Sequence, residues 1–215
     1  QKNENHWKLS VDREVNSVRS SVGFCDVSTL GKIDIQGKDA LNFVNKIYCN
    51  EFSKLPVGKV RYGLMLREDG LVMDDGTTAR MSKNHFIMTT TTLNAESVYR
   101  HLEFCHQCLW PEMDVQLIST TDAWAQIAIA GPNSRKIISK IVDHQFDVSN
   151  QKFPLMACKE ITICGGVLAR LFRISFSGEL AYELSIPTQY APSLVSHLME
   201  IGKDENIVPY GTEAL

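Results

Sequence analysis

An α+β fold of antiparallel sheets with packed helices is what the sequence predicts, on three observations. Val60 to Met81 forms two strand-like runs around the turn former Arg67-Glu68-Asp69-Gly70. A second hairpin pattern, Ile161 to Ile163 with Val167 to Ile174, surrounds Gly165-Gly166. Between them the apolar period changes from two to three and four, the mark of amphipathic helices laid on sheets.

The elements follow in order. After a polar leader, Val22 to Ile35 alternates short apolar and polar pieces, and Lys32 to Ile35 has strand periodicity before Gly37 breaks it. Asp39 caps a helix whose Leu41, Val44 and Ile47 lie on one face, with Phe43 and Tyr48 flanking it. Past Pro56 and Gly58 comes the first hairpin, then a strand from His85 to Thr91 rich in β-branched residues. From Asn94, residues Ala95, Val98, Leu102, Cys105 and Leu109 recur at helical spacing until Pro111. Strand-like pieces at 115–117 and 124–130 lead to Gly131-Pro132, with Pro132 suited to the first turn of a helix through Ile141. Tyr182 to Ile186 reads as a strand and Tyr190 to Ile201 as a helix.

Composition narrows the function classes. Of 215 residues 44% are hydrophobic and 22% charged, ample for a core. A net charge of -3 lacks the basic excess that a nucleic acid or an anionic membrane would need, so neither is expected as a partner. No apolar run reaches the ~20 residues that span a bilayer, and the first residues lack a signal-peptide core. Six cysteines scattered through apolar stretches predict reduced, mostly buried thiols and a cytoplasmic setting. Without an initiator Met, and stopping in the helix-like opening Tyr210-Gly211-Thr212-Glu213, the chain is expected to be a piece of a longer one.

Two familiar signals carry little. Cys105-His106-Gln107-Cys108 lies in mid-helix with no second pair at ligand spacing, so no metal site is expected. Gly165-Gly166 lacks the strand-to-helix context of a dinucleotide or phosphate loop. The histidines form no catalytic pattern.

Leu71-Val72-Met73-Asp74-Asp75-Gly76 is more informative, because it ends an apolar strand in two carboxylates. Neighbouring strand residues point to opposite faces, so Asp74 and Asp75 cannot share a proton and at most one points inward. A two-residue loop at Asp69-Gly70 makes Tyr62 and Asp75 diagonal neighbours, and a four-residue loop makes them directly opposite. An inward Asp75 would call for a polar ligand, whereas an outward pair would simply end the strand at the surface. Glu183, between apolar neighbours of a short strand, is the second candidate. It could accept two parallel N–H bonds from a planar heterocycle, or merely face solvent.

These two segments carry a resemblance. Tyr62 with Leu71-Val72-Met73-Asp74-Asp75 resembles the Tyr…Gly-Gly-x-x-Asp-Asp hairpin of the folate-dependent aminomethyltransferases, the glycine-cleavage T-protein superfamily. Phe176-Ser177-Gly178-Glu179…Glu183 resembles its Tyr-Thr-Gly-Glu-x-x-x-Glu segment, Cys25-Asp26-Val27-Ser28 its Phe-Asp-Val-Ser, and Ala130-Gly131-Pro132 its Gln-Gly-Pro. Asp26 to Gly37, Arg61 to Gly70, Met73 to Thr78, Thr89 to Thr92 and His101 to Phe104 are more similar still to the sarcosine oxidase α-subunit branch.

The resemblance implies a multi-lobed aminomethyltransferase folate-binding fold with tetrahydrofolate in a central hole. Residues 1–50 with 115–215 would form a split first lobe and 51–114 an inserted second lobe. The third lobe, with an Arg that helps hold folate, would lie beyond residue 215, so the C-terminal part of the fold would be missing here. It also implies a folate site of Tyr62, Asp75, Thr90, Phe176 and Glu183. Asp75 would act as the catalytic base on a folate nitrogen, Glu183 would hold the pterin edge, and Tyr62 would pack beside it. Phe176 replaces the family's Tyr, and Thr90 stands near its Asn. In that branch the N-methyl carbon of sarcosine is oxidised by a flavin and passed to tetrahydrofolate, giving methylenetetrahydrofolate. FAD, FMN and NAD are therefore expected only in other regions or subunits, with further sarcosine oxidase subunits as partners. Glycine-cleavage aminomethyltransferase, a related folate-dependent demethylase and a non-catalytic assembly module of the same fold are the alternatives.

Overall fold

Eleven strands and five α-helices order the described residues, 6–214, of the computed structural model. In chain order they are α1 (Trp7–Ser20), β1 (Gly23–Asp26), β2 (Gly31–Gln36), α2 (Ala40–Ile47), β3 (Lys59–Leu66), β4 (Val72–Ser82), β5 (His85–Thr90) and α3 (Ala95–Phe104). Then follow β6 (Gln116–Ser119), β7 (Trp124–Ala130), α4 (Ser134–Ile141), β8 (Cys158–Ile163), β9 (Val167–Phe172), β10 (Ala181–Pro187), α5 (Ala191–Ile201) and β11 (Val208–Pro209). The class is the α+β one expected from sequence. No helix among the described residues is long and apolar enough to cross a membrane.

Backbone packing divides the chain into two units. One takes Ser28–Trp124 with Met156–Lys159, the other the residues up to Val27, Ala125–Leu155 and those from Glu160 onward. The units thus part at residues other than 50 and 115. The reason is hydrogen bonding: β2 pairs with β5 along Gly31↔Thr90 to Gln36↔His85, and with β6 from Ile33↔Ser119 to Gln36↔Gln116.

The unit around residues 28–124 holds a five-stranded sheet in the order β3-β4-β5-β2-β6. Its core side carries Ile33, Ile35, Met65, Phe86 and Met88, packed with Phe43, Val44 and Ile47 of α2 and Val98 and Leu102 of α3. Each such side chain taken from water contributes about 1.5–3 kcal/mol. Asp39 precedes α2, but its Oδ2 accepts from the Asp114 N–H at 3.0 Å instead of capping its own helix. The apolar stripe read from Asn94 to Leu109 is interrupted. After Phe104 the backbone widens to a π turn, Cys105–Leu109, closed by Trp110 N–H donating to Cys105 O. The extra residue in that turn rotates Leu109 off the stripe and leaves it exposed.

The other unit holds a six-stranded sheet in the order β11-β1-β7-β10-β9-β8. It is antiparallel between β1 and β7 and between β9 and β10, whereas β11 joins β1 in parallel through Gly23↔Val208. What reads as a polar leader is α1, which lays Val11, Val15 and Val18 beside Cys25, Ala130, Ala181 and Tyr210. Helix α4 starts at Ser134 after Asn133, so Pro132 stands before the helix and not in its first turn. The cysteines are all free, as expected, but only Cys25, Cys105 and Cys158 are buried, with Cys49, Cys108 and Cys164 exposed.

Candidate functional site

The β3–β4 hairpin closes by neither loop considered from sequence. Arg67 N–H donates to Leu71 O and Gly70 N–H to Arg67 O, leaving a three-residue loop with Gly70 at φ 83°. That left-handed conformation suits glycine. The register then shifts between Met65 and Leu66: Leu66 pairs with Val72 but Met65 with Asp74, so Met73 is the extra residue of a bulge. Below the bulge Leu64 pairs with Asp75 and Tyr62 with Thr77, the diagonal arrangement.

The consequence is one carboxylate on each face. Asp74 is the buried one, 4% exposed. Its Oδ1 accepts from Thr91 Oγ1 at 2.7 Å and Asn94 Nδ2 at 3.2 Å, and its Oδ2 from Thr91 N–H at 3.2 Å. With three donors the buried charge is satisfied, and the turn entering α3 is fixed. Asp75, half-buried, faces the other way and accepts from Tyr62 Oη at 2.7 Å. The Tyr62 ring is 49% exposed, and its phenol is raised above the usual tyrosine range, chiefly by that hydrogen bond. The inward carboxylate is therefore Asp74, which has protein partners and needs no ligand.

Thr90 lies on the opposite side of the sheet. The pairing Thr78↔Met88 places residues 78, 88 and 90 on the helix-covered face, where Thr90 is buried and its hydroxyl donates to Thr91 O. Its neighbour Thr89 is on the face of Asp75, and its Oγ1 stands 2.8 Å from Thr77 Oγ1. Sequence reading passed over Thr77 and Thr89. Period-two counting from Asp75 is the signal that finds Thr77, and β4–β5 pairing then adds Thr89. Gly76, between the two carboxylates and Thr77, has no room for a side chain, because a Cβ would strike the Thr89 carbonyl.

In the other unit Glu183 sits on β10, paired with Phe172 of β9. Its half-buried carboxylate accepts from Gln126 Nε2 at 2.6 Å. Gln126 is 1% exposed, and its Oε1 accepts from Ser185 Oγ at 3.0 Å. Tyr210 is raised well above the usual tyrosine range, first by burial, then by the nearby Cys25 and Glu183 charges. Phe176 is 84% exposed on the β9–β10 loop. That loop is held by Arg19, whose Nη1 donates to Ser177 O at 2.7 Å and Glu179 Oε1 at 3.1 Å, and by Ser175 Oγ donating to Glu179 O at 2.6 Å. The structure thus brings Tyr62 and Asp75 into contact, turns Thr90 to the far face of their sheet, and places Glu183 and Phe176 in the other unit. No group of three or more His, Cys, Asp or Glu side chains with metal-ligand geometry is found among the described residues.

What this arrangement offers chemically is two carboxylates at defined places, one beside an exposed phenol and one on a buried amide. Three relatives share the sequence or the fold around it. A sarcosine oxidase subunit alpha of Rhizobium meliloti (strain 1021) is 59% identical over 213 residues, 99% of this chain and 21% of the relative. An aminomethyltransferase of Anoxybacillus flavithermus (strain DSM 21510 / WK1) is 30% identical over 213 residues, 97% of this chain and 56% of the relative. The chain thus spans about a fifth of the first relative's length and little more than half of the second's. Among solved structures, the glycine cleavage system aminomethyltransferase T from Bartonella henselae has the same fold, with a TM-score of 0.81 at 21% identity over 95% of this chain and 52% of that one. The family model described as the GCVT N-terminal domain matches residues 1–215, and the chain belongs to that family.

Proposed function

We propose that the chain is a folate-binding one-carbon-transfer module of a sarcosine oxidase, passing the oxidised N-methyl carbon of sarcosine to tetrahydrofolate to give methylenetetrahydrofolate. The observation that carries this reading is the Tyr62–Asp75 pair on the exposed face of the hairpin, in a chain 59% identical to a sarcosine oxidase subunit alpha. Two carboxylates support the reading, each within its own unit: Glu183 has an oriented support for a heterocycle edge, and Asp75 is half-buried and already takes a hydroxyl bond.

Tetrahydrofolate, when bound, supplies the two nitrogens that capture the carbon. Asp75 accepts the proton that a folate nitrogen gives up as its bond to carbon forms, and the Tyr62 hydroxyl holds the Oδ2 of that base in place. Glu183 binds the pterin edge through its paired oxygens, and Phe176 offers an exposed ring to the ligand. Thr90, turned to the helix-covered face, is assigned the wall of the strand and not the ligand-facing surface. The sequence lacks a dinucleotide loop, so flavin and NAD chemistry is assigned to regions or subunits outside these residues, with those subunits as partners and a cytoplasmic setting.

Calorimetric titration with tetrahydrofolate tests the reading. Binding by the chain, weakened at least ten-fold by Asp75→Asn and by Glu183→Gln, supports it; equal binding by both variants would sink the site assignment. The 30% identity to an aminomethyltransferase favours a second reading, transfer from a different carbon donor, which a donor-exchange assay separates.

A further inference from the structure

We propose that Gln126 is a positioning residue for the Glu183 carboxylate, with Ser185 holding the other end of its amide. The inference rests on the folate reading of Glu183 and deepens it. Gln126 and Ser185 are almost fully buried, at 1% and 2% exposure, so neither is a surface contact that water could replace. Ser185, two residues beyond Glu183 on β10, presents its side chain to the same sheet face.

A side-chain amide has two orientations of nearly equal shape. Here the Glu183 carboxylate can only accept, which requires the N–H end on its side and leaves Oε1 to accept from the Ser185 hydroxyl at 3.0 Å. The N–H end meets Glu183 Oε2 at 2.6 Å, a charge-assisted contact. The reverse orientation would press a carbonyl oxygen against a carboxylate and is excluded. A relay of Ser185 to Gln126 to Glu183 therefore holds the carboxylate in one rotamer before any ligand arrives. Ordering the carboxylate in advance lowers the conformational entropy that ligand binding has to overcome. Gln126 stands in the apolar run Trp124 to Ala130, and its burial and two opposed side-chain bonds are what mark it.

The test is tetrahydrofolate titration of the full chain, by calorimetry, for wild type, Glu183→Gln, Gln126→Leu, Ser185→Ala and the double variant Gln126→Leu with Glu183→Gln. Gln126→Leu is expected to weaken binding about ten-fold and Ser185→Ala roughly three-fold. The double variant should bind no more weakly than Glu183→Gln alone, because Gln126 acts through that carboxylate. This non-additivity is the readout that a merely structural role would not give. If Gln126→Leu does not fold, the Ser185→Ala loss carries the test. Wild-type affinity in Gln126→Leu and Ser185→Ala, or additive losses in the double variant, overturns the inference and leaves the folate reading standing. Wild-type affinity in Glu183→Gln, or no binding by the folded wild type, overturns the folate reading, and the inference falls with it.

Discussion

Glu183 and Asp75 are both carboxylates on strands, yet the two units hold them in opposite ways. Glu183 leans on a buried amide that is itself anchored by a buried hydroxyl. Asp75 has one phenol, half exposed, as its hydrogen-bond partner on the hairpin. The first carboxylate is oriented in advance, and the second can exchange its partner at low cost. Recognition of a fixed ligand edge asks for the former and movement of a proton for the latter.

Substitutions can break or sharpen that contrast. The largest effect is expected at Asp74, the neighbour that separates burial from function. Asp74→Leu orphans the Thr91 N–H and the Thr91 hydroxyl, leaves the Asn94 amide with the Met73 carbonyl alone of its two acceptors, and should cost about 3 kcal/mol in urea unfolding. Glu183→Ala removes the carboxylate that accepts from the buried Gln126 Nε2 and should cost about 2 kcal/mol by the same measurement. Gly76→Ala, which drives a methyl into the Thr89 carbonyl, should also cost about 2 kcal/mol and disturb the strand that carries Asp75. Asp75→Ala should change stability by no more than about 0.5 kcal/mol, since it removes one partly exposed contact. A cost as large as that of Glu183→Ala would erase the distinction between the two sites.

The smallest effect is spectroscopic. The Tyr62 phenol titrates above its unfolded value because of Asp75, so its contribution to stability is complete below the unfolded pKa, about 10, and is lost as pH rises through the folded one. Asp75→Asn should lower the Tyr62 midpoint in an alkaline absorbance titration and flatten the part of the stability decline that Tyr62 causes. The midpoints of Tyr48 and Tyr210, raised first by burial, should stay high in that variant.

How much of this was legible in the sequence follows from periodicity. Hairpins, the α2 stripe and the strands carrying both carboxylates were readable, because each sets apolar residues at two or at three and four. Helix α1 was not, although Val11, Val15 and Val18 have the spacing, because three apolar positions in an otherwise polar stretch resemble a leader. The partition of Asp74 and Asp75 was legible as a rule, one face each, but not as an assignment. Which is buried depends on a bulge that no local signal announces. Thr90 against Thr89 is the same difficulty one strand away: a run of threonines hides its own parity. Gln126 needed the third dimension, since its partners are 57 and 59 residues distant.

The bulge at Met73 also separates the tip of the hairpin from its base. Beneath it, Thr78 to Arg80 are locked to β5, and Asp74 is tied to the turn before α3. Above it, Leu66, Leu71 and Val72 are exposed, and the loop closes on its own Arg67–Leu71 and Arg67–Gly70 bonds. The tip is in effect an interchangeable cassette. Its residues can drift, or be grafted by design, while the alignment of Tyr62 with Asp75 is inherited unchanged from the ladder below.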